Sequence, residues 1–224
     1  MEIGELLGKG RSADVYALDD ERVLRRYRLP LDARRESAVM EYVAQHGFPV
    51  PRVHPAERPA TDLVMERLTG PTMLRALIDG EITIEEAGRT LGRLLRRLHE
   101  IPARLSADPA DRILHLDLHP DNVLLTPRGP VVIDWCNTEE GPPALDHALS
   151  AVILAQEAVH PENELAAPAR SVLAALLAEL GDTVDTGEPM DRAAARRAAN
   201  ATLTKREIDL LDDAVALIRR LGAN

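Results

Sequence analysis

Two short runs constrain this chain more than any other feature: His115-Leu116-Asp117-Leu118-His119-Pro120-Asp121-Asn122 and, shortly after, Val131-Val132-Ile133-Asp134-Trp135. Pro120 stops any strand that enters the first run, and the second reads as a buried strand that ends on an acid. Asp117, Asn122 five positions later and Asp134 twelve beyond that form a set with a chemical meaning. One carboxylate can orient a hydroxyl, while an amide and a second carboxylate can hold Mg²⁺, which is what phosphoryl transfer requires. Each residue also has a plainer use: Asp117 can cap the turn before Pro120, and Asn122 and Asp134 can form a turn and cap a helix.

A second chemistry competes for the same residues. His115, Asp117 and His119 alternate, so on a strand they would share one face and could ligate a transition metal, as in a metallohydrolase. Pro120 ends such a strand at once, no further His or Cys cluster completes the set, and the reading leaves Asn122 and Asp134 unexplained.

With 224 residues the chain can bury a substantial core as one large domain or two lobes. A net charge of −10 argues against a generic nucleic-acid or anionic-membrane partner and tolerates a cationic substrate. Cys136 is the single cysteine, which excludes an intramolecular disulfide framework and a Cys-rich zinc site. The acidic start and the lack of a long apolar run lead to the expectation of a cytoplasmic protein.

Along the chain, apolar runs at 3–7, 14–18 and 22–27, a helix over 32–46 capped by Asp32 and closed by Gly47, and a buried strand at 61–66 predict a small antiparallel sheet with one helix. A further strand is expected between Gly47 and Thr61. A break at Gly70-Pro71 places the lobe boundary near Leu68, giving lobes of 1–68 and 69–224. The second lobe is expected to be mostly helical, with helices over 83–100, 145–160, 164–180, 191–203 and 205–221, interrupted by strands at 123–125 and 131–133. Gly8, Gly10 and Ser12 lie in a turn whose backbone N–H groups could cover phosphates, although an ordinary hairpin has the same glycines.

Taken together, these segments resemble the aminoglycoside phosphotransferase and choline kinase family of small-molecule kinases. The first run resembles the family's His-Gly-Asp-x-His-x-x-Asn signature, and Val132-Ile133-Asp134-Trp135 with Gly141-Pro142 and Asp146-His147-Ala148 resembles its Ile-Asp-Trp segment and acidic helix. The resemblance implies an α+β, bilobal protein-kinase-like fold that binds ATP or GTP. It implies Asp117 as catalytic base, Asn122 and Asp134 as Mg²⁺ ligands, and His115 and Asp146 as supports of the catalytic loop. Arg25, with Arg26 as the alternative, falls where the family usually has a phosphate-binding Lys, with Glu36 as its partner, and an Arg there can grip a carboxylate bidentately. Ala13 replaces a glycine of the loop, and Leu116 replaces the signature glycine. Met65, Glu66 and Leu68 would form the hinge beside the base. The implied partner is a small molecule with a hydroxyl; Glu139, Glu140, Glu157, Glu162 and Glu164 suggest an amine-bearing one such as an aminosugar. The departures at Arg25 and in the glycine loop also allow a nucleotide-binding pseudokinase or interaction module.

Overall fold

The structure, a computed structural model, describes residues 3–10, 12–28, 32–55 and 58–222. Two compact units emerge: the chain up to Pro71 together with Leu124–Thr138, and Thr72–Val123 together with the chain from Glu139 onward. A single cut near Leu68 therefore does not describe the division, because the segment that carries Asp134 packs with the first unit.

In the first unit, β1 (Leu6–Lys9), β2 (Ala13–Ala17), β3 (Arg22–Tyr27) and β4 (Asp62–Glu66) form an antiparallel sheet in sequence order. β3 is central, pairing Arg25 with Val15 on one side and with Leu63 on the other. The strand expected before Thr61 is reduced to a single bridge from Val53 to Met65. α1 (Ala33–Gln45) starts where Asp32 Oδ1 accepts the Arg34 N–H at 3.0 Å, and it ends at Gly47, whose φ of 75° few other residues adopt. Its buried face, Ala33, Glu36, Val39, Met40 and Val43, follows helical spacing and carries one carboxylate inward. The hairpin of β6 (Val123–Thr126) and β7 (Gly129–Val132) joins this unit through Leu125 N–H to the Pro71 carbonyl and Val132 N–H to the Pro49 carbonyl, both 2.9 Å.

The second unit is helical apart from β5 (Arg112–Leu114) and β8 (Glu139–Gly141), a three-residue pair too short to announce itself in sequence. It contains α2 (Met73–Ile78), α3 (Ile84–Leu98), α4 (Pro143–Val159), α5 (Ala166–Leu180), α6 (Glu188–Ala198), α7 (Lys205–Asp209) and α8 (Leu211–Gly222). α4 is buried at every position from Leu145 to Gln156 and packs against α5, α6 and α8, as expected of a helix that is apolar all round. Two expected helices are shorter. α6 stops at Ala198 because the Asn200 side chain accepts the N–H and hydroxyl of Thr202 and turns the chain. The helix expected over 205–221 divides at Leu210, where the Glu207 carbonyl receives the Gln156 amide at 2.9 Å instead of serving the next helical turn alone.

α3 and α5 approach closely at Gly88, where a Cβ would lie 2.4 Å from Ala175 Cβ and 2.7 Å from the Val172 carbonyl oxygen. Backbone cannot yield there as a flexible side chain could. Gly88→Ala should therefore destabilise the protein by about 1–3 kcal/mol in urea unfolding, although Ala favours an exposed helix by about 1 kcal/mol.

Candidate active site

β5 ends at Leu114, and the chain then turns sharply: Leu116 has φ 61°, a left-handed conformation that costs a residue with a Cβ about 1–2 kcal/mol. What holds the turn is Asp146, in the first turn of α4 and fully buried. Its Oδ2 accepts the His115 N–H and its Oδ1 the Leu116 N–H, each at 2.8 Å. Asp117 follows at the half-exposed edge of the loop. The Asn122 side-chain nitrogen donates to the Asp117 carbonyl at 2.8 Å and lies 3.1 Å from His119 Nε2, so the amide's oxygen is the end that can serve a cation. Burial pushes the His119 imidazole below its usual range, against the pull of Asp117 and Asp121.

The same turn removes the metallohydrolase reading. Alternation along a strand assumed that His115, Asp117 and His119 share one face, but the strand is over at Leu114 and Leu116 leaves the extended region with φ 61°. Among the described residues no group of three or more His, Cys, Asp or Glu side chains could hold a metal ion.

Behind Asp146 lies a row that the sequence reading did not single out. His99, just after α3, places Nε2 3.0 Å from Asp146 Oδ2 and Nδ1 3.0 Å from His147 Nε2. His147 Nδ1 is 3.2 Å from the Thr183 carbonyl oxygen. Burial, then the neighbouring charge at His99, pushes the His147 imidazole down to about 4. Burial alone would raise the Asp146 carboxyl, but the hydrogen bond and charge of His99 and the backbone N–H donors carry it below its usual range.

In the first unit, β3 points Arg25 inward with Val23 and Tyr27 on either side, while Arg26 pairs with Asp62. Arg25 Nη2 donates to Asp134 Oδ1 at 2.5 Å, and its Nε is 3.5 Å from Glu36 Oε2. The bidentate grip on Glu36 expected of an Arg is not formed, because the guanidinium spans two carboxylates. Glu36 has other donors: the Tyr27 hydroxyl, and the Trp135 N–H at 3.0 Å. Burial raises the Glu36 carboxyl despite Arg25, and the nearby carboxylates raise the Arg25 guanidinium further above neutrality although its burial opposes them. Asp134 is left-handed, with φ 64° and ψ 65°, and the Cys136 thiol donates to the same Oδ1 at 3.0 Å.

Gly8 lies on β1 opposite Val15, and Gly10 N–H closes a turn onto the Ala13 carbonyl at 2.9 Å; Ser12, in the same turn, accepts the Arg28 N–H at its carbonyl. Met65 is buried in β4, Leu68 is half-buried beyond it, and the Glu66 carboxylate is engaged by Arg128 at 2.6 Å. Of the expected set, Arg25, Glu36 and Asp134 meet in the first unit, and His115, Asp117, Asn122 and Asp146 share one loop and its anchor in the second.

Removing one partner of a buried pair leaves a bare charge, so Arg25→Met should cost about 3–5 kcal/mol, read as a lower urea midpoint, with Arg25→Lys closer to the parent. His147 binds a proton near 6.5 when unfolded and near 4 when folded. A depressed histidine of this kind costs no stability above about pH 6.5 and progressively destabilises the fold as pH falls toward 4. The loss should reach about 3 kcal/mol, checked as the difference in pH dependence between the parent and His147→Gln.

Among the described residues no helix is long and apolar enough to cross a membrane. No curated protein is similar enough in sequence to count as a relative. In structure the chain is similar to a choline/ethanolamine kinase family protein from Mesorhizobium loti, at 15% identity and a TM-score of 0.59, covering 100% of this chain and 89% of that one. It is similar to the GDP complex of an aminoglycoside 2'-phosphotransferase, at 12% identity and TM-score 0.58 over 100% and 92% of the two chains. A third neighbour is an amicoumacin kinase in complex with AMP-PNP, Ca²⁺ and its ligand, at 14% identity and TM-score 0.54 over 97% and 88%. The phosphotransferase enzyme family model matches residues 4–112 and 102–190. With more than half of its length matched, the chain belongs to the phosphotransferase enzyme family, as a small-molecule phosphotransferase with the protein-kinase-like fold.

Proposed function

We propose that this protein transfers the γ-phosphoryl group of ATP or GTP to a hydroxyl of a small molecule, with Asp117 as the catalytic base. The observation that carries the reading is the loop that bears Asp117: Asp146 holds its strained entry and Asn122 its carbonyl, so the carboxylate is presented by a fixed backbone. In this role Asp117 accepts a hydrogen bond from the acceptor hydroxyl and then its proton as the new bond forms.

Asn122 and Asp134 are the residues that would hold Mg²⁺, and their donor chemistry fits. The Asn122 nitrogen is committed to the Asp117 carbonyl, leaving a hard amide oxygen, and Asp134 supplies a carboxylate. When bound, the metal would neutralise charge on the phosphates. Arg25 would add a fixed positive charge beside the phosphates, with Glu36 setting its position; the backbone around Gly8, Gly10 and Ser12 would cover them, and Met65, Glu66 and Leu68 would meet the base.

The acceptor is a hydroxyl compound; hygromycin B, streptomycin and amicoumacin are named with structural neighbours. This chain's own glutamates support an amine less than their number suggests. Glu139 is paired with Arg196, Glu140 caps the Leu105 and Ser106 N–H groups, Glu157 takes the Asn163 amide and Glu162 is paired with Arg206. An acceptor panel should therefore include neutral polyols beside aminoglycosides.

Asp117→Asn should abolish phosphoryl transfer across that panel while leaving the rise in melting temperature with Mg²⁺ and ATP or GTP intact. Unchanged turnover in the variant would refute Asp117 as the base. A parent protein that binds nucleotide but transfers nothing would favour the nucleotide-binding module that the Arg25 substitution allows.

A further inference from the structure

We propose that His99 and His147 are positioning residues that share one excess proton, and that this proton keeps Asp146 in the setting that fixes the left-handed turn ahead of Asp117. The functional half of the inference rests on the phosphotransfer reading; the structural half stands on proton arithmetic alone.

The ends of the row accept and cannot donate. The Thr183 carbonyl requires a hydrogen on His147 Nδ1, 3.2 Å away. Asp146 is fully buried and takes backbone N–H groups on both oxygens, which favours the ionised form, so His99 Nε2 at 3.0 Å also carries a hydrogen. Between His99 Nδ1 and His147 Nε2 a third hydrogen must lie, since at 3.0 Å two bare lone pairs would repel and no water fits between them. Three hydrogens on two imidazoles make one ring an imidazolium.

The charge belongs on His99, where it faces the Asp146 carboxylate and every polar atom of the row is then satisfied. Asp146 and the two rings together are neutral, which is the form in which a buried ionic unit is tolerated. Three other groups face the row. From α3, the charge of Arg96 disfavours a proton on His147; from the segment after β5, His115 lies near Asp146; from the turn Gly181–Thr183, the row meets the Thr183 carbonyl. Burial and the charge at His99 likewise keep His147 neutral.

Loss of the shared proton would remove the central hydrogen bond and leave Asp146 as an uncompensated buried anion. The carboxylate that holds the Leu116 N–H would then be free to shift toward other donors or water, and the strained turn would relax. Raising the pH should therefore loosen the loop at Leu116 before the fold itself melts.

The test uses the full chain labelled with ¹⁵N-histidine and uniformly with ¹⁵N, followed by NMR from about pH 6 to pH 10. Near neutral pH the proposal requires both His99 nitrogens to carry hydrogen and His147 to carry one, on Nδ1. Leu116 amide exchange, corrected for its intrinsic pH dependence, should accelerate about tenfold over the range in which His99 loses its proton. Single protonation of both rings at neutral pH would overturn the shared proton. His99 deprotonation without faster Leu116 exchange would overturn the positioning role. His147→Leu removes the acceptor and should bring the fast exchange down to neutral pH. Should that variant not fold, His99→Gln keeps an N–H donor for Asp146 without a titrating proton, and its Leu116 protection should be flat where the parent's declines. Mg²⁺-dependent ATP hydrolysis over the same pH series should fall with Leu116 protection. A parent protein inactive at every pH would count against the phosphotransfer reading, while the imidazole and exchange signals would still decide the inference.

Discussion

A carboxylate sealed from water must be answered by donors on every side, and Asp146 organises the helical unit through that demand. Its two oxygens take consecutive backbone N–H groups from a chain segment about thirty residues away, and His99 approaches from a third direction. A backbone that donates two successive N–H groups to one carboxylate has little choice of dihedral angles, and Leu116 is driven into the left-handed region as a result. The apolar surroundings of α4 make the arrangement obligatory, because an Asp146 without these partners would be an unpaired charge in the core.

The sheet unit solves a related problem differently. One guanidinium on the central strand meets carboxylates from α1 and from the segment after β7, and the latter segment is tied again to α1 through the Trp135 N–H. Trp135 fills the space beneath, edge-on to Phe48 at 5.6 Å and bonded through its indole N–H to the Val132 carbonyl. Three elements distant in sequence are thus held by a few charged hydrogen bonds over an aromatic contact, and a lysine could not span the two acids in the same planar manner.

Much of this was legible in the sequence, for identifiable reasons. The apolar stripe of α3, the cap at Asp32 and the polar pattern from Asp117 to Asp134 are local signals, and local signals survive without coordinates. What escaped was decided by contacts between remote segments. The break at Leu210 follows a carbonyl bonded by Gln156, and β5 and β8 exist only because each finds the other. His99 lies near the end of an expected helix and His147 inside a quoted motif, and neither position by itself signals the row behind Asp146. The alternation of His115, Asp117 and His119 carries no meaning in the structure, as Pro120 already argued, because a period of two counts only while the strand lasts.

Leu116 carries a consequence for how such a protein can change over evolutionary time. Its backbone would be eased by glycine, yet its side chain is buried and glycine would leave a void. Asparagine tolerates the dihedral angles but would bring an amide into an apolar setting. Each single step from leucine thus trades one fault for another, so the position is epistatically trapped: it can change only after a neighbouring side chain has first grown, shrunk or acquired a polar group to receive the newcomer.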